Sequence, residues 1–184
     1  MARKRELVKL ETLPVKSPQT VTPAGERLEP LIDGVRIHQQ VTQQDERGTL
    51  TELYSPMWGF DEFPLVFLYT VTVRPGKVKG WAVHHDQVDR YFFYQGTIKL
   101  VLYDDRPKSP THRMVNVLYF SEANRSLVLV PPHVYHAVHN AGCVDGLMIN
   151  FPSQPYRHED PDKYTLPLKN DLIPYTFDLT PGHC

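Results

Sequence analysis

The sequence predicts an all-β chain of antiparallel strands closed into a barrel or sandwich, and three observations lead there. From Val35 onward, short runs rich in β-branched and aromatic residues alternate with turn signals at fairly even spacing. No stretch of useful length repeats its apolar residues at the helical period. Hydrophobic residues make up 41% of the 184, enough to fill one core, and the length suits a single domain.

The elements follow in order. Residues 35–41 carry a β-branched run, and Asp45-Glu46-Arg47-Gly48 turns the chain into a strand over 49–54. Residues 66–73 (VFLYTVTV) read as a strong strand closed by Pro75-Gly76. Strands over 78–84 and 90–94 flank a short polar loop, and Gly96 leads into 98–103. A loop with Pro107 and Pro110 precedes strands over 114–120, 127–130, 135–139 and 146–151. Short helices are expected over 121–124 and near 160–164. Residues 1–33, with Pro14, Pro18, Pro23 and Pro30 among Lys, Thr and Glu, read as an N-terminal arm, leaving 34–184 as one barrel domain. The Pro-rich last 30 residues are expected to wrap that barrel.

Charge excludes one class of function. Twenty basic against 21 acidic residues give a net charge of −1, without the basic excess of a general nucleic-acid binder. No run of about 18 apolar residues suggests a membrane helix. Residues 1–9 are basic and lack the apolar stretch of a signal peptide, so a cytoplasmic location is expected. Cys143 and Cys184 form no CxxC motif, and two free thiols are expected in that reducing setting.

Two stretches carry the chemistry. In the first, Gly76 is followed after five residues by Ala82-Val83-His84, after four more by Asp89, and after six by Gly96. Side chains alternate faces along a strand, so Ala82 and His84 share one face, while His85 and Trp81 point to the other. In the second, Pro131-Pro-His133-Val-Tyr-His136 runs on to Asn140, with His136 on the face of Val134 and Val138. After the loop, Asp89 can return to the same cavity as His84. His133 and His139 are expected in a loop and on the outer face.

These stretches resemble the paired motifs of the cupin superfamily, with Ala82 where the first histidine belongs and Asp89 in place of glutamate. Further runs are similar to the dTDP-4-dehydrorhamnose 3,5-epimerases: Asp45-Glu-Arg47-Gly48 through Glu52, Asp104-Asp-Arg106 through Ser109-Pro110-Thr111, Phe120-Ser121 through Asn124, and Asn170-Asp171 through Tyr175. The resemblance spans roughly residues 35–177 and implies a double-stranded β-helix, or jelly roll. It also implies a homodimer in which Arg47 enters the partner's pocket.

The function so implied is a nucleotide-sugar epimerase or isomerase acting on a dTDP-4-keto-6-deoxyhexose, in deoxysugar or polysaccharide biosynthesis. His84, His136 and Asp89 are the catalytic candidates. Arg47, Glu52, Lys79, Gln87, Asn150 and Tyr156 are the substrate-binding candidates. The family's base histidine falls on Ala82, and its proton-donating tyrosine falls near 148–150, where none stands. The aspartate that orients that histidine has no evident counterpart. The chain also resembles the dTDP-sugar 3,4-ketoisomerases, whose Arg-Gly-x-His-x-His keeps only its second histidine here. That leaves His84 as a lone general base. Two alternatives stand beside this reading: a non-catalytic nucleotide-sugar binder, and a metal-dependent cupin enzyme of small molecules. His84, Asp89 and His136 would be the ligands of a divalent metal. The resembled sugar enzymes work without metal, so no cofactor is expected.

Overall fold

The computed structural model describes residues 15–180 and 182. Twelve strands form two five-stranded antiparallel sheets and a hairpin. The first sheet has the order β1 (Arg36–Gln39), β9 (Ser126–Val130), β6 (Asp89–Gln95), β11 (Gly146–Asn150) and β4 (Tyr69–Val73). The second has the order β12 (Tyr164–Thr165), β5 (Val78–Val83), β10 (Val134–Asn140), β7 (Ile98–Asp104) and β8 (Val115–Phe120). β2 (Thr42–Asp45) and β3 (Gly48–Thr51) pair only with each other. This is the jelly roll that the sequence predicts.

Alternation along each strand builds the core. Tyr91 and Phe93 of β6 point between the sheets, where they meet Leu100, Leu102, Leu118, Val128, Val134, Val138 and Met148. The Phe93 ring lies flat on Phe120, at 4.4 Å between centroids. The intervening β6 residues point outward. Phe92 packs against Leu127 and Phe151, and Arg90 is buried against residues 61–64. Its guanidinium meets Asp61 Oδ1 at 3.0 Å and donates to the carbonyls of Phe63, Pro64 and Phe151. Arg90 thus staples the segment that leads into β4.

The outer face of the second sheet is covered by the C-terminal segment, in which Leu166, Leu168, Ile173, Tyr175 and Phe177 pack over Trp81, Val101 and Ala137. Trp81 is a packing residue, as its strand position predicts. His139 is on the outer face as expected, yet it is buried beneath Phe177. Gly80 allows β5 to approach β10: it has φ +136°, and a Cβ there would lie 2.6 Å from Ala137 Cβ.

Several expectations need correction. Residues 160–164 are not helical. Pro161 interrupts the run, the Asp162 side chain bonds to a neighbouring loop, and Tyr164–Thr165 pair with Val83 and Ala82 as β12. Residues 56–58 form a 3-10 turn that the sequence reading left out, capped by the Ser55 hydroxyl. The strand expected over 35–41 runs only from Arg36 to Gln39, with the Gln40 amide still donating to Arg125 O, and β2 starts separately at Thr42. Cys143 is disulfide-bonded rather than a free thiol. The C-terminal segment runs back to Ala141 and Gly142, against which Gly182 lies; Cys184, the other cysteine, is outside the described residues.

The contact pattern divides the chain between Pro30 and Leu31. The short unit, described from Val15, holds one isolated bridge, Val21 to Arg27, closed around a turn at Gly25. In the larger unit, Ile32 is buried in the core and its amide donates to Asn116 Oδ1. Residues 1–9, read as lacking a signal peptide, lie outside the described residues. Among the described residues, no helix is long and apolar enough to cross a membrane.

Candidate functional site

The two motif stretches meet inside the barrel at Asp89. β6 begins with this residue, its side chain on the inward face shared by Tyr91 and Phe93. Its Oδ1 accepts from Gln87 Nε2 at 2.7 Å and Asn150 Nδ2 at 2.8 Å. Its Oδ2 accepts from the Tyr91 hydroxyl at 2.6 Å and lies 3.1 Å from His84 Nε2 and 3.5 Å from His136 Nε2. All three of the trio are buried, and their rings stack at 5.3 Å between the imidazole centroids. Strand alternation placed Asp89 beside His84, and the resemblance to the paired cupin motifs placed His136 with them.

The hydrogen bonds fix where the protons sit. His84 Nε2 faces a carboxylate and His84 Nδ1 faces the Asp162 carbonyl, two groups that only accept. Both contacts favour hydrogen on the ring nitrogens, which is the charged form of His84. Burial opposes that charge, but the Asp89 carboxylate and the Asp162 carbonyl outweigh it and raise the pKa. Asp89 is the counter-ion: burial alone would raise its pKa, yet His84, His136 and Asn150 hold it well below the usual carboxylate range.

His136 is the opposite case. Its Nδ1 lies 3.1 Å from Val134 O and donates there, while its Nε2 stands 3.5 Å from Asp89 Oδ2 without a hydrogen bond to it. Burial pushes its pKa down to about 4, against the pull of Asp89. A second cation stacked on His84 would also be repelled. The site thus holds one charged and one neutral imidazole, the kind of split that separates acid from base roles.

A cavity of about 510 Å³, within the range of small-ligand sites, opens beside this pair. His84, His136, Ala82, Lys79, Gln87 and Tyr156 line it, as the sequence reading anticipated. Asn150 bonds to Asp89 and to the Tyr69 hydroxyl, both at 2.8 Å. Arg47 and Glu52 do not line it. Arg47 lies on the exposed β2–β3 hairpin beside a separate shallow hollow, paired with Asp45 at 2.5 Å, and Glu52 is exposed just beyond β3. His85 is exposed and stacks on Tyr164 at 4.1 Å, while His133 sits in the turn before β10.

Sequence reasoning missed other lining residues, among them Tyr69, Arg157 and Lys163. Tyr69 carried a signal: it shares a strand face with Val71 and Val73, both packed in the core, so its hydroxyl had to point inward. Arg157 and Lys163 lie on an irregular segment and gave none.

The register explains the two gaps in the motifs. Ala82 on β5 lies directly across from His136 on β10. Asn150 on β11, at the end of the stretch that lacks a tyrosine, lies directly across from Tyr69 on β4. Residues directly opposite in an antiparallel pair project from the same face. An imidazole and a phenol are therefore still present at those two levels of the barrel, each supplied by the neighbouring strand.

As a candidate metal centre the trio was tested on its donors. The ligand atoms lie within 4.8 Å of one another. However, His84 Nε2 carries hydrogen, and both Asp89 oxygens are already taken by hydrogen-bond donors. A divalent ion bound there would have to displace that proton and those donors.

A small jelly roll that encloses a His–Asp–His cluster, flanked by a tyrosine and lysines, is the arrangement that the resemblance to cupins implies. The comparisons with known proteins agree. The chain is 32% identical over 139 residues to the probable low-salt glycan biosynthesis epimerase Agl13 of Haloferax volcanii, covering 75% of this chain and 89% of that one. It is 30% identical over 151 residues to the spore coat polysaccharide biosynthesis protein SpsL of Bacillus subtilis, covering 80% and 97%. Among solved structures it resembles a dTDP sugar isomerase from Desulfovibrio desulfuricans, with TM-score 0.72, 24% identity and coverage of 79% and 91%. It also resembles the Bacillus anthracis dTDP-4-dehydrorhamnose 3,5-epimerase with TDP and pyrophosphate bound, with TM-score 0.70, 19% identity and coverage of 84% and 91%. No model of a known protein family matches the chain. The chain belongs to the family of these glycan- and polysaccharide-biosynthesis proteins, and its fold is that of the dTDP-sugar epimerases and isomerases.

Proposed function

We propose that this protein epimerises a dTDP-linked 4-keto-6-deoxyhexose without a metal, using groups supplied by register partners of the expected positions. The observation that carries this reading is the pair of cross-strand substitutions: His136 opposite Ala82, and Tyr69 opposite Asn150. In this reading His84 is not the lone base expected from its motif, since its ring nitrogens are both occupied by acceptors.

The chemistry follows from the proton positions. The C4 carbonyl acidifies the adjacent C–H bond, and a base must reach that proton. His136 Nε2 takes it, the C–H electrons move into the carbonyl, and an enolate forms. Asp89, 3.5 Å from that nitrogen, stabilises the new imidazolium. The His84 cation and the lysines of the pocket favour the enolate charge. Tyr69 returns a proton to the opposite face of the carbon. Its oxygen accepts from Asn150 Nδ2, so its own hydrogen is free to be given to substrate.

Lys79, Arg157 and Lys163 suit a diphosphate, and the exposed Tyr156 ring suits a base. The β2–β3 hairpin bears Arg47 on an exposed two-stranded ribbon that pairs with no other strand, which supports a homodimer with that arginine in the partner's pocket.

The test is incubation of the protein with the dTDP-keto sugar in D2O, followed by NMR. Deuterium at a carbon next to the carbonyl, with inversion there, is expected. Binding of dTDP without any exchange would replace this reading by a non-catalytic binder.

A further inference from the structure

The segment 153–165 forms one wall of the cavity, and a single side chain ties it down. Asp162 Oδ1 accepts from the backbone amide of His85 at 2.8 Å, and Oδ2 accepts from the amides of Asp86 and Gln87 at 2.8 and 2.9 Å. These three consecutive amides belong to the loop between His84 and Asp89. The same residue's own carbonyl faces His84 Nδ1. Asp162 thus grips the loop with its carboxylate and the imidazole with its main chain, and the two contacts hold each other in place.

We propose that Asp162 is the positioning residue of the site: by capping the loop amides it sets its carbonyl on His84 Nδ1 and so turns His84 Nε2–H onto Asp89. Without the carboxylate, three amides lose their acceptor and the wall can move away from the imidazole. His84 then keeps no fixed acceptor at Nδ1. The ring is free to rotate or to lose a proton, and the hydrogen-bond set around Asp89 changes with it. The gain from the arrangement is that an irregular segment, far along the chain, completes the proton arrangement only when it is seated over the cavity.

This inference uses the reading of the site as a proton-transfer centre, but part of its test needs no turnover. The ring nitrogens of His84 are followed by NMR in the ¹⁵N-labelled full chain, in wild type, Asp162→Ala and Asp162→Asn. Asp160→Ala removes an exposed carboxylate from the same segment and serves as control. In wild type and in the control, both nitrogens are expected to carry hydrogen at neutral pH. In Asp162→Ala the His84 midpoint is expected to fall by at least one pH unit, and Asp162→Asn, which keeps one acceptor oxygen, should fall between. Should Asp162→Ala fail to fold, the asparagine variant decides alone. Where turnover is measurable, kcat should fall at least tenfold with KM changed less than twofold. Loss of turnover in all proteins, with the His84 shifts as expected, would overturn the catalytic reading alone. Unchanged His84 shifts in the folded variants, or the same change in Asp160→Ala, would overturn the positioning role.

Discussion

Replacing His136 by Gln should flatten the acid side of the stability curve, and the size of the effect can be worked from the site. A histidine free in the unfolded chain titrates near 6.5, whereas burial holds His136 down to about 4. Between those values the unfolded state binds a proton that the folded state refuses, so stability falls as the pH is lowered. A gap of about 2.5 units at 1.36 kcal/mol each costs roughly 3 kcal/mol by the time both states are protonated. The other two members of the trio act in different windows. Asp89 has a depressed folded value, so its contribution is present above the unfolded carboxylate value near 3.9 and is lost only below it. His84 has a raised folded value; its contribution is complete below about 6.5 and is lost as the pH rises through the folded value. The assay is urea unfolding at half-unit steps from pH 4 to 8, comparing wild type with His136→Gln. The difference in unfolding free energy between the two proteins should shrink or invert by roughly 3 kcal/mol from pH 6.5 to 4. A difference that stays constant across that window would refute the neutral, buried state assigned to His136.

Other predictions concern the scaffold that positions the site. Arg90→Ala removes the staple on residues 61–64 and leaves Asp61 buried without its cation. A loss of about 3–5 kcal/mol is expected, read from the urea midpoint. Gly80→Ala places a methyl against Ala137 in a backbone conformation that disfavours side chains. It should cost about 1–3 kcal/mol and lower the melting temperature by more than the same change at Gly25, where φ is +85° but nothing stands in the way of a Cβ, so only the backbone strain is added.

Much of the fold was legible because it depends on local pattern. The β-branched and aromatic runs over 98–103, 114–120 and 127–130 mark strands whichever partners they find, and β7, β8 and β9 lie on those positions. The trio was legible because His84 and Asp89 border one loop, and because the stretch that holds His136 resembles the second cupin motif, which implies the same barrel interior. The pairing of Tyr69 with Asn150 and the role of His136 were not legible, because they depend on register between strands far apart in sequence. The β4–β11 pairing joins residues about eighty positions apart, and nothing local in VFLYTVTV names Asn150 as a neighbour. Asp162 was missed for a related reason: its partners are three backbone amides, which no side-chain pattern reveals. The charged state of His84 likewise needed the position of one main-chain carbonyl.

The division of labour between His136 and Tyr69 is tested most directly by measuring deuterium exchange and inversion separately on the dTDP-keto sugar. His136→Gln should abolish both, since no base remains for the first proton. Tyr69→Phe should keep exchange, because His136 can return solvent deuterium to the face it came from, while inversion falls by about 10²–10⁴. Full inversion in Tyr69→Phe, or continued exchange in His136→Gln, would contradict the account.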